Sequence, residues 1–221
     1  MMRKIRSFVR REGRLTPGQD KALQTCWPLF GMTIAHGVLD YRQQYGNKPV
    51  ILEIGFGMGH SLVAMAQANP DKHYIGIEVH RPGVGTLFRE MQSQDVTNIT
   101  AYMEDAVEVV QQCVADGSLA GVQIYFPDPW HKKRHHKRRL IQPEFIAMLI
   151  TKLKPGGFLH LATDWENYAE QMMEVLTDTN LSNTAGAGCF AERHDRPLTK
   201  FEQRGQRLGH GVWDLYFVKS A

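Results

Sequence analysis

The hydrophobic pattern from residue 50 onward alternates short apolar runs with longer segments that carry apolar residues at helical spacing. Short, β-branched or aromatic runs bounded by turn residues are typical of buried strands. Five such runs predict strands at Val50–Ile54, His73–Val79, Ile99–Met103, Val122–Phe126 and Phe158–Ala162. Two further strands are expected near Cys189–Arg193 and Val212–Val218, which brings the total to seven.

The segments between these runs predict helices, because their apolar residues recur every three or four positions. The predicted helices are His60–Asn69, Arg81–Gln94, Ala106–Ala115, Ile141–Leu153 and Trp165–Thr177. An earlier helix is expected to begin at Pro17, with Thr16 as its N-cap, and to end near Cys26 before Pro28. Residues 31–45 have mixed periodicity, and residues 179–188 are loop-like. Regular alternation of strands and helices predicts an α/β fold with a doubly wound, mostly parallel sheet.

The net charge of +3 conceals two basic segments in an otherwise acidic chain. Residues 1–14 contain six Lys or Arg and one Glu, and His131–Arg139 contains six Lys or Arg, three His and no acid. Basic segments at defined places suggest a polyanionic partner, for which nucleic acid is the first candidate. We expect residues 1–15 to form a flexible basic arm and residues 16–221 to form a single domain.

The three cysteines, Cys26, Cys113 and Cys189, are widely spaced and form no CxxC pair. This usage fits a reducing cytoplasm, which is the expected location. No apolar run has the length of a membrane span, and no hydrophobic stretch follows the basic N-terminus as in a secretory signal. The histidines of the basic segment lack neighbouring Cys or acidic residues, so no metal site is predicted.

A glycine-rich motif follows the first strand of the alternation, where Glu53 precedes Gly55, Gly57 and Gly59. Glycines allow a sharp turn and close approach of a ligand, and the next helix adds a positive dipole end. Glu78 ends the second strand, where an acid can accept both hydroxyls of a ribose. Glu53 suits a ligand with an amino group. The alternative is a turn that only joins strand to helix.

Asp105 follows the third strand and is succeeded by the small residue Ala106. The Asp105 carboxylate could accept a hydrogen bond from an adenine amino group. It is equally a good N-cap for the next helix, and both roles remain open.

The fourth strand ends in Pro127-Asp128-Pro129-Trp130, directly before the basic segment. The prolines hold Asp128 where the strand stops, at the edge where open α/β sheets bind ligands. The basic segment is anchored at both ends, which favours phosphate binding over a solvated charge run. Trp130 could stack on a base or pack in the core, and we favour the core.

The motifs together resemble one family. The glycine motif, the second-strand acid and Asp105-Ala106 are similar to those of class I S-adenosylmethionine-dependent methyltransferases. The segments 126–132, 162–165 and 196–205 resemble the bacterial tRNA (guanine-N7-)-methyltransferase family, over nearly the whole chain. This resemblance implies a Rossmann-like, seven-stranded sheet with an antiparallel C-terminal strand.

The resemblance also implies roles for individual residues. The pocket for S-adenosylmethionine, whose product is S-adenosylhomocysteine, would be formed by Glu53, Gly55, Gly57, Gly59, Glu78, Asp105, Ala106 and Asp128. Asp128 would also be the catalytic acid. Contacts to tRNA would come from Lys132, Arg134, Lys137, Arg138, Arg139, Asp164, Thr199, Lys200, Phe201 and Glu202.

The resulting hypothesis is an enzyme that methylates N7 of the variable-loop guanine, guanine-46, of tRNA, acting as a monomer or homodimer. One alternative is methylation of an exocyclic base amine, whose enzymes favour an Asn/Asp-Pro-Pro-aromatic motif. The other is an RNA-binding module with an adenosine-type pocket but no catalysis. A nicotinamide-dependent dehydrogenase is a more distant possibility.

Overall fold

In the computed structural model, one mixed sheet organises the chain, whose described residues are 7–8, 13–194, 196–198, 202 and 211–220. Within these residues the strands are β1 Gly31–Met32, β2 Val50–Ile54, β3 His73–Ile77, β4 Ile99–Tyr102, β5 Leu119–Tyr125, β6 Leu153–Thr163, β7 Leu181–Asn183 and β8 Trp213–Lys219. They lie side by side in the order β1-β4-β3-β2-β5-β6-β8-β7. All neighbouring pairs are parallel except the two that β8 makes with β6 and β7.

The helices fall between the strands as the hydrophobic pattern predicts. They are α1 Pro17–Phe30, α2 Tyr41–Tyr45, α3 His60–Ala68, α4 Arg81–Ser93, α5 Ala106–Cys113, α6 Pro143–Lys152 and α7 Glu166–Thr177, with 3₁₀ helices at Ile34–His36 and Lys133–Arg138. No helix in the described part of the chain is both long and apolar enough to cross a membrane.

Each face of the sheet buries its own hydrophobic core. Leu23 of α1, Leu62 of α3 and Phe88 of α4 pack on one face. Residues of α5, α6 and α7, such as Val109 and Leu149, pack on the other. Burial on both faces explains why β2 and β3 read as continuous apolar runs rather than as an alternation.

The predicted fold class is confirmed: the sheet is doubly wound and mostly parallel, with an antiparallel C-terminal strand. It contains one strand more than the seven predicted, because Gly31–Met32 adds a two-residue edge strand beside β4. So short a strand has no hydrophobic period of its own, and mixed periodicity is what the sequence shows there.

Three element predictions are wrong. Helix α1 continues through Pro28 to Phe30, and Pro28 is exposed near the end of the helix, where water can solvate the carbonyl left without a partner. The strand expected at Cys189–Arg193 does not form. Phe190 is 38% exposed there, and pairing is limited to an isolated bridge between Ala191 and Asp214. The seventh strand in sequence, β7, lies earlier, in the segment predicted to be loop.

The parallel strands bring the predicted site residues to one edge. Strand order reverses between β2 and β5, because the chain moves outward to β3 and β4 on one side and to β6 on the other. Ligands of open α/β sheets bind outside the carboxyl ends of the strands at such a reversal. A ligand-binding site is therefore expected at the turns after β2 and β5.

Candidate functional site

The glycine turn, Gly55–Gly59, leaves β2 in a conformation that favours glycine. Gly55, Gly57 and Gly59 have φ angles of 78°, 60° and 78°, in the left-handed region. Gly59 is the N-cap of α3. A side chain at Gly83, in the first turn of α4, would collide with the carbonyl of Gly57. The turn is thus held close to α4, with its backbone unobstructed by Cβ atoms at three positions.

Glu78 holds the glycine turn from the end of β3. Its Oε2 accepts a hydrogen bond from the Gly57 amide at 2.9 Å, and its Oε1 accepts from the amides of Val79 and His80 at 2.7 and 3.0 Å. Burial raises the pKa of Glu78, although these backbone hydrogen bonds act to lower it. These bonds leave one lone pair of Oε2, by geometry, for a ligand hydroxyl.

Glu53 is a buried acid that forms no salt bridge within the part of the chain that the structure describes. It is 3% exposed, and its Oε2 finds no hydrogen-bond partner within the described residues. Burial raises its pKa to about 8. A buried carboxyl in this state is stabilised by any ligand that brings a positive charge. The amino group of S-adenosylmethionine is such a charge, so the residues present fit this cofactor.

Asp105 acts as an N-cap, as one of its two predicted roles requires. Its Oδ1 accepts a hydrogen bond from the Val107 amide at 3.0 Å at the start of α5. Ala106 is buried, at 9% exposure. Because an N-cap uses one oxygen, the other oxygen of Asp105 remains available for the adenine contact, which stays a prediction.

The Pro127–Pro129 segment emerges from β5 beside the glycine turn. Ile54 of β2 lies next to Ile124 of β5, so the glycine turn and the Pro127–Pro129 segment leave neighbouring strands at the same level. The segment is bracketed by left-handed residues, Phe126 at φ 52° and Trp130 at φ 45°. Such conformations cost free energy in non-glycine residues and cluster at functional sites. Asp128, at the centre, is exposed.

Asp164 lies one strand further along the same edge. Tyr125 pairs with Ala162 of β6, two residues before Asp164, and the Phe126 amide donates to the Ala162 carbonyl at 2.8 Å. Asp164 is half-buried. Asp128 and Asp164 therefore follow adjacent parallel strands, as predicted.

Within the basic segment, His131–Arg139, residues Lys133–Arg138 form a 3₁₀ helix. Lys132 is its N-cap, and Arg134 and Lys137 are both exposed. Residues three apart share a face of a 3₁₀ helix, so Arg134 and Lys137 present their charges in the same direction. This places three of the predicted RNA contacts on the protein surface beside the Pro127–Pro129 segment.

Trp130 lies beneath the basic segment and not in either core, so the expectation of core packing is wrong. Its Nε1 donates a hydrogen bond to the Ser7 carbonyl at 2.9 Å. The guanidinium carbon of Arg138 lies 3.8 Å from the centroid of the Trp130 ring. The indole therefore supports Arg138 and contacts the segment predicted to be a flexible arm, of which only Ser7, Phe8, Gly13, Arg14 and Leu15 are described.

Arg139 requires a correction, because its surroundings are those of a structural residue rather than an RNA contact. It is 2% exposed. Its Nε donates to the Pro129 carbonyl at 2.8 Å, and its two terminal nitrogens donate to Asn167 and Gln171 of α7. Tyr168 lies under the guanidinium, 4.6 Å away. Arg139 thus ties the Pro127–Pro129 segment to α7.

Of the predicted residues Thr199 to Glu202, the first three lie outside the described residues. Glu202 is 2% exposed, and both of its oxygens accept hydrogen bonds from Arg196, at 2.6 and 3.0 Å. Arg196 also donates to Asp214 of β8. Glu202 therefore lies in a buried ion-pair cluster rather than on the surface where an RNA contact was expected.

This cluster includes residues that sequence reasoning missed. His160 Nε2 lies 2.8 Å from Asp214 Oδ1, and His160 Nδ1 lies 3.0 Å from the Tyr125 hydroxyl. Burial acts to raise the pKa of Asp214, but hydrogen bonds from His160 and Arg196 outweigh it and leave the pKa lowered. The available signal was a polar residue inside an apolar strand, His160 between Leu159 and Leu161.

Within the described residues there is no group of three or more His, Cys, Asp or Glu side chains placed to hold a metal ion.

Comparison with known proteins places the chain among methyltransferases. Residues 47–215 match a family described as "Putative methyltransferase". The solved structure of the 16S rRNA methyltransferase KamB covers 81% of this chain and 91% of its own, with a TM-score of 0.59 and 13% identity. At that identity the likeness concerns the fold alone.

Curated relatives are much closer in sequence. The tRNA (guanine-N(7)-)-methyltransferase of Alcanivorax borkumensis is 58% identical, over 100% of this chain and 94% of the relative. That of Pseudoalteromonas atlantica is 57% identical, over 100% and 93%. With a matching family over most of its length and relatives of this identity along all of it, the chain belongs to the tRNA (guanine-N7-)-methyltransferase family.

Proposed function

We propose that this protein transfers a methyl group from S-adenosylmethionine to N7 of the variable-loop guanine, guanine-46, of tRNA. The observation that carries the proposal is the placement of the glycine turn and the Pro127–Pro129 segment on adjacent parallel strands, which leave the sheet at the same level. One edge then offers a cofactor cradle, an exposed acid and a basic surface. The reaction is cytoplasmic in this proposal, consistent with three free cysteines, of which Cys189 is exposed.

The cofactor would be held by groups at the carboxyl ends of β2, β3 and β4. Glu53 would bind its amino group, Glu78 a ribose hydroxyl through the remaining lone pair of Oε2, and Asp105 with Ala106 its adenine. Gly55, Gly57 and Gly59 would allow close approach of the backbone. When bound, S-adenosylmethionine supplies an electrophilic methyl group on a positively charged sulfur.

The acids at the strand ends suit the chemistry of guanine N7. The nitrogen already carries a lone pair, so no base is needed to remove a proton before attack. Positive charge moves onto the purine as the methyl is transferred. Asp128 would stabilise that charge or accept the hydrogen bonds of guanine N1 and its amino group, and Asp164, which follows the neighbouring strand β6, would be available for the same tasks. Correct alignment of the reacting atoms supplies on the order of 7–11 kcal/mol in such reactions.

The tRNA backbone would lie across the exposed part of the basic segment. Lys132, Arg134 and Lys137 are exposed, and Arg138 is stacked on Trp130. Lys and Arg on one surface bind phosphates without reading sequence, so they would fix the position of the RNA. Selection of the guanine is then left to the acids at the sheet edge.

The test is transfer of tritiated methyl groups to unmodified tRNA, with tRNA lacking the variable-loop guanine as the control. We expect label in the first tRNA only, and mass spectrometry of the digested product should find it as 7-methylguanine. Label on an exocyclic amine would refute the N7 assignment. Absence of incorporation at high enzyme concentration would instead favour a non-catalytic RNA-binding protein.

A further inference from the structure

The buried arginine cluster, made of Tyr125, His160, Arg196, Glu202 and Asp214, joins three parts of the chain. Arg196 donates through Nε and one terminal nitrogen to Asp214, both at 2.9 Å, and through both terminal nitrogens to Glu202. Four of its five N–H groups are thereby used. The side chains of Arg196, Glu202 and Asp214 are 0%, 2% and 4% exposed.

His160 and Tyr125 extend the cluster from Asp214 to the end of β5. A carboxylate only accepts hydrogen bonds, so His160 donates to Asp214 through Nε2. Its Nδ1 then accepts from the Tyr125 hydroxyl. Burial lowers the pKa of His160, which agrees with a neutral ring making one bond of each kind. His160 of β6 thus fixes the orientation of Asp214 in addition to Arg196.

The cluster lies directly behind the candidate site. Asp214 pairs with Ala162, two residues before Asp164. The guanidinium of Arg196 lies 5.5 Å from the ring centre of Tyr125 and 5.3 Å from that of Phe126, the residue that precedes Pro127. A shift of Arg196 would therefore disturb the strand ends that carry both predicted acids, and would also displace Glu202.

Stability alone does not explain such a cluster. Taking charges out of water costs several kcal/mol for each ion, and a buried ion pair is often no more stabilising than apolar residues of the same volume. An arginine that binds two carboxylates fixes their orientation, because the planar guanidinium holds both partners in one plane. Glu202, held by both oxygens, is itself fixed at a defined place.

We propose that Arg196 and Asp214 are positioning residues of the methyl-transfer site, and that Glu202 acts through Arg196 rather than by touching RNA. The cluster holds Arg196 beside Tyr125 and Phe126 at the end of β5 and Asp214 beside Ala162 of β6, so that the strand ends that carry Asp128 and Asp164 meet the tRNA in one orientation. The inference rests on the proposed function, since it concerns how the same tRNA is held.

The test is a double-mutant cycle with Glu202→Gln and Arg196→Lys. Glutamine keeps the shape of Glu202 without its charge, and lysine keeps the charge of Arg196 without its fork. We expect each single variant to lower kcat/KM for tRNA by on the order of tenfold to a hundredfold, since small misplacements have effects of that size. The double variant should lose no more than about twofold beyond the worse single one, because one linkage is broken twice.

Two further measurements separate positioning from general structural damage. The dissociation constant for S-adenosylmethionine, measured by calorimetry, should change by less than about twofold in Glu202→Gln, since Glu53 and Glu78 lie on other strands. Asp116→Asn is the matched control: it breaks an ion pair with Lys152 whose Asp116 side chain is 72% exposed. Its kinetics with tRNA should equal those of the unmodified protein.

Each result decides the question. Additive losses in the double variant would mean that Glu202 contacts RNA by itself, and unchanged tRNA kinetics would remove any positioning role. Parallel loss of cofactor binding would show that the cluster only maintains the fold. If Arg196→Lys does not fold, Glu202→Gln and Asp214→Asn form the cycle instead. Failure of the unmodified protein to methylate tRNA would count against the proposed function, whereas an active protein with unaffected variants would count against this inference alone.

Discussion

The backbone amide of Gly57 donates a hydrogen bond to Glu78, 2.9 Å from its Oε2. The turn that approaches the cofactor is therefore held by the same carboxylate that is expected to bind the ribose. Glu78 would therefore both hold the glycine turn in place and contact the ligand. A substitution of Glu78 should change both the conformation of the glycine turn and the contact to the ligand.

Glu78→Gln is expected to weaken binding of S-adenosylmethionine by roughly tenfold to a hundredfold, because a charge-assisted hydrogen bond is worth about twice a neutral one. Calorimetric titration measures the effect. Glu90→Gln, at a half-buried carboxylate paired with its neighbour Arg89 at 2.9 Å, serves as the control and should bind normally. Equal affinity in Glu78→Gln would place the ribose elsewhere.

Binding of S-adenosylmethionine should release a proton from Glu53. Its pKa is raised to about 8 by burial, so the free acid is mostly protonated near neutral pH. A cationic amino group favours the carboxylate and lowers this pKa, so the affinity should rise as pH increases from about 6 to about 7.5. Calorimetry in buffers of different ionisation enthalpy should report close to one released proton. Glu53→Gln should bind more weakly and release none, and an equal release from that variant would contradict the assignment.

Asp128→Asn is expected to lower kcat on the order of 10²–10³-fold, as the loss of an electrostatic stabiliser does elsewhere. The affinity for tRNA should change by less than about threefold, because the phosphate contacts lie on the basic segment. Single-turnover kinetics and filter binding measure the two quantities separately. A variant with normal turnover and weak tRNA binding would make Asp128 a recognition residue.

The salt dependence of tRNA binding should identify the residues that meet phosphates. Replacing Arg134 and Lys137 by alanine removes two exposed charges from one face of the 3₁₀ helix. The slope of log K against log salt should become shallower by about 1.4 to about 1.8, for single-stranded and duplex contacts respectively. Alanine at Lys48 and Lys154 removes the same charge at the amino ends of β2 and β6, away from the predicted site, and should leave the slope unchanged. A common effect of both pairs would indicate long-range attraction only.

Arg139 should behave unlike its basic neighbours. Arg139→Lys removes the fork that joins Pro129 to α7 and leaves buried acceptors without donors, so the free energy of unfolding should fall by about 2–4 kcal/mol. Urea denaturation measures this loss. The salt slope of tRNA binding should not change. Arg134→Lys, at an exposed position, should leave stability within about 0.5 kcal/mol, and a reversed pattern would return Arg139 to the RNA surface.

Sequence pattern predicts the cofactor half of this protein closely, since its signals are local. The range Val50–Ile54 is the same in prediction and structure, and the glycine turn and Glu78 follow from spacing along one βαβ unit. Backbone conformation at glycines and prolines is determined by neighbours in sequence. The carboxyl edge of the sheet is therefore predictable from the sequence.

The other half depends on contacts that sequence spacing does not reveal. Arg139 and Arg134 look alike in a run of basic residues, yet a 3₁₀ turn buries one and exposes the other. Asp214 and His160 are 54 residues apart and meet through strand pairing. Strand β7 is three residues long, and its place is decided by β8. Tertiary context, rather than local propensity, determines each of these.

Insertion of β8 between β6 and β7 also bears on the order in which the protein is made. Glu53, Glu78, Asp105 and Ala106 are synthesised before Asp214, the residue that holds Arg196. A nascent chain could thus pair β1 to β4 first, but Arg196 and Glu202 could be fixed in place only after β8 has been made. Methyl transfer to tRNA would then begin only once β8 had inserted between β6 and β7.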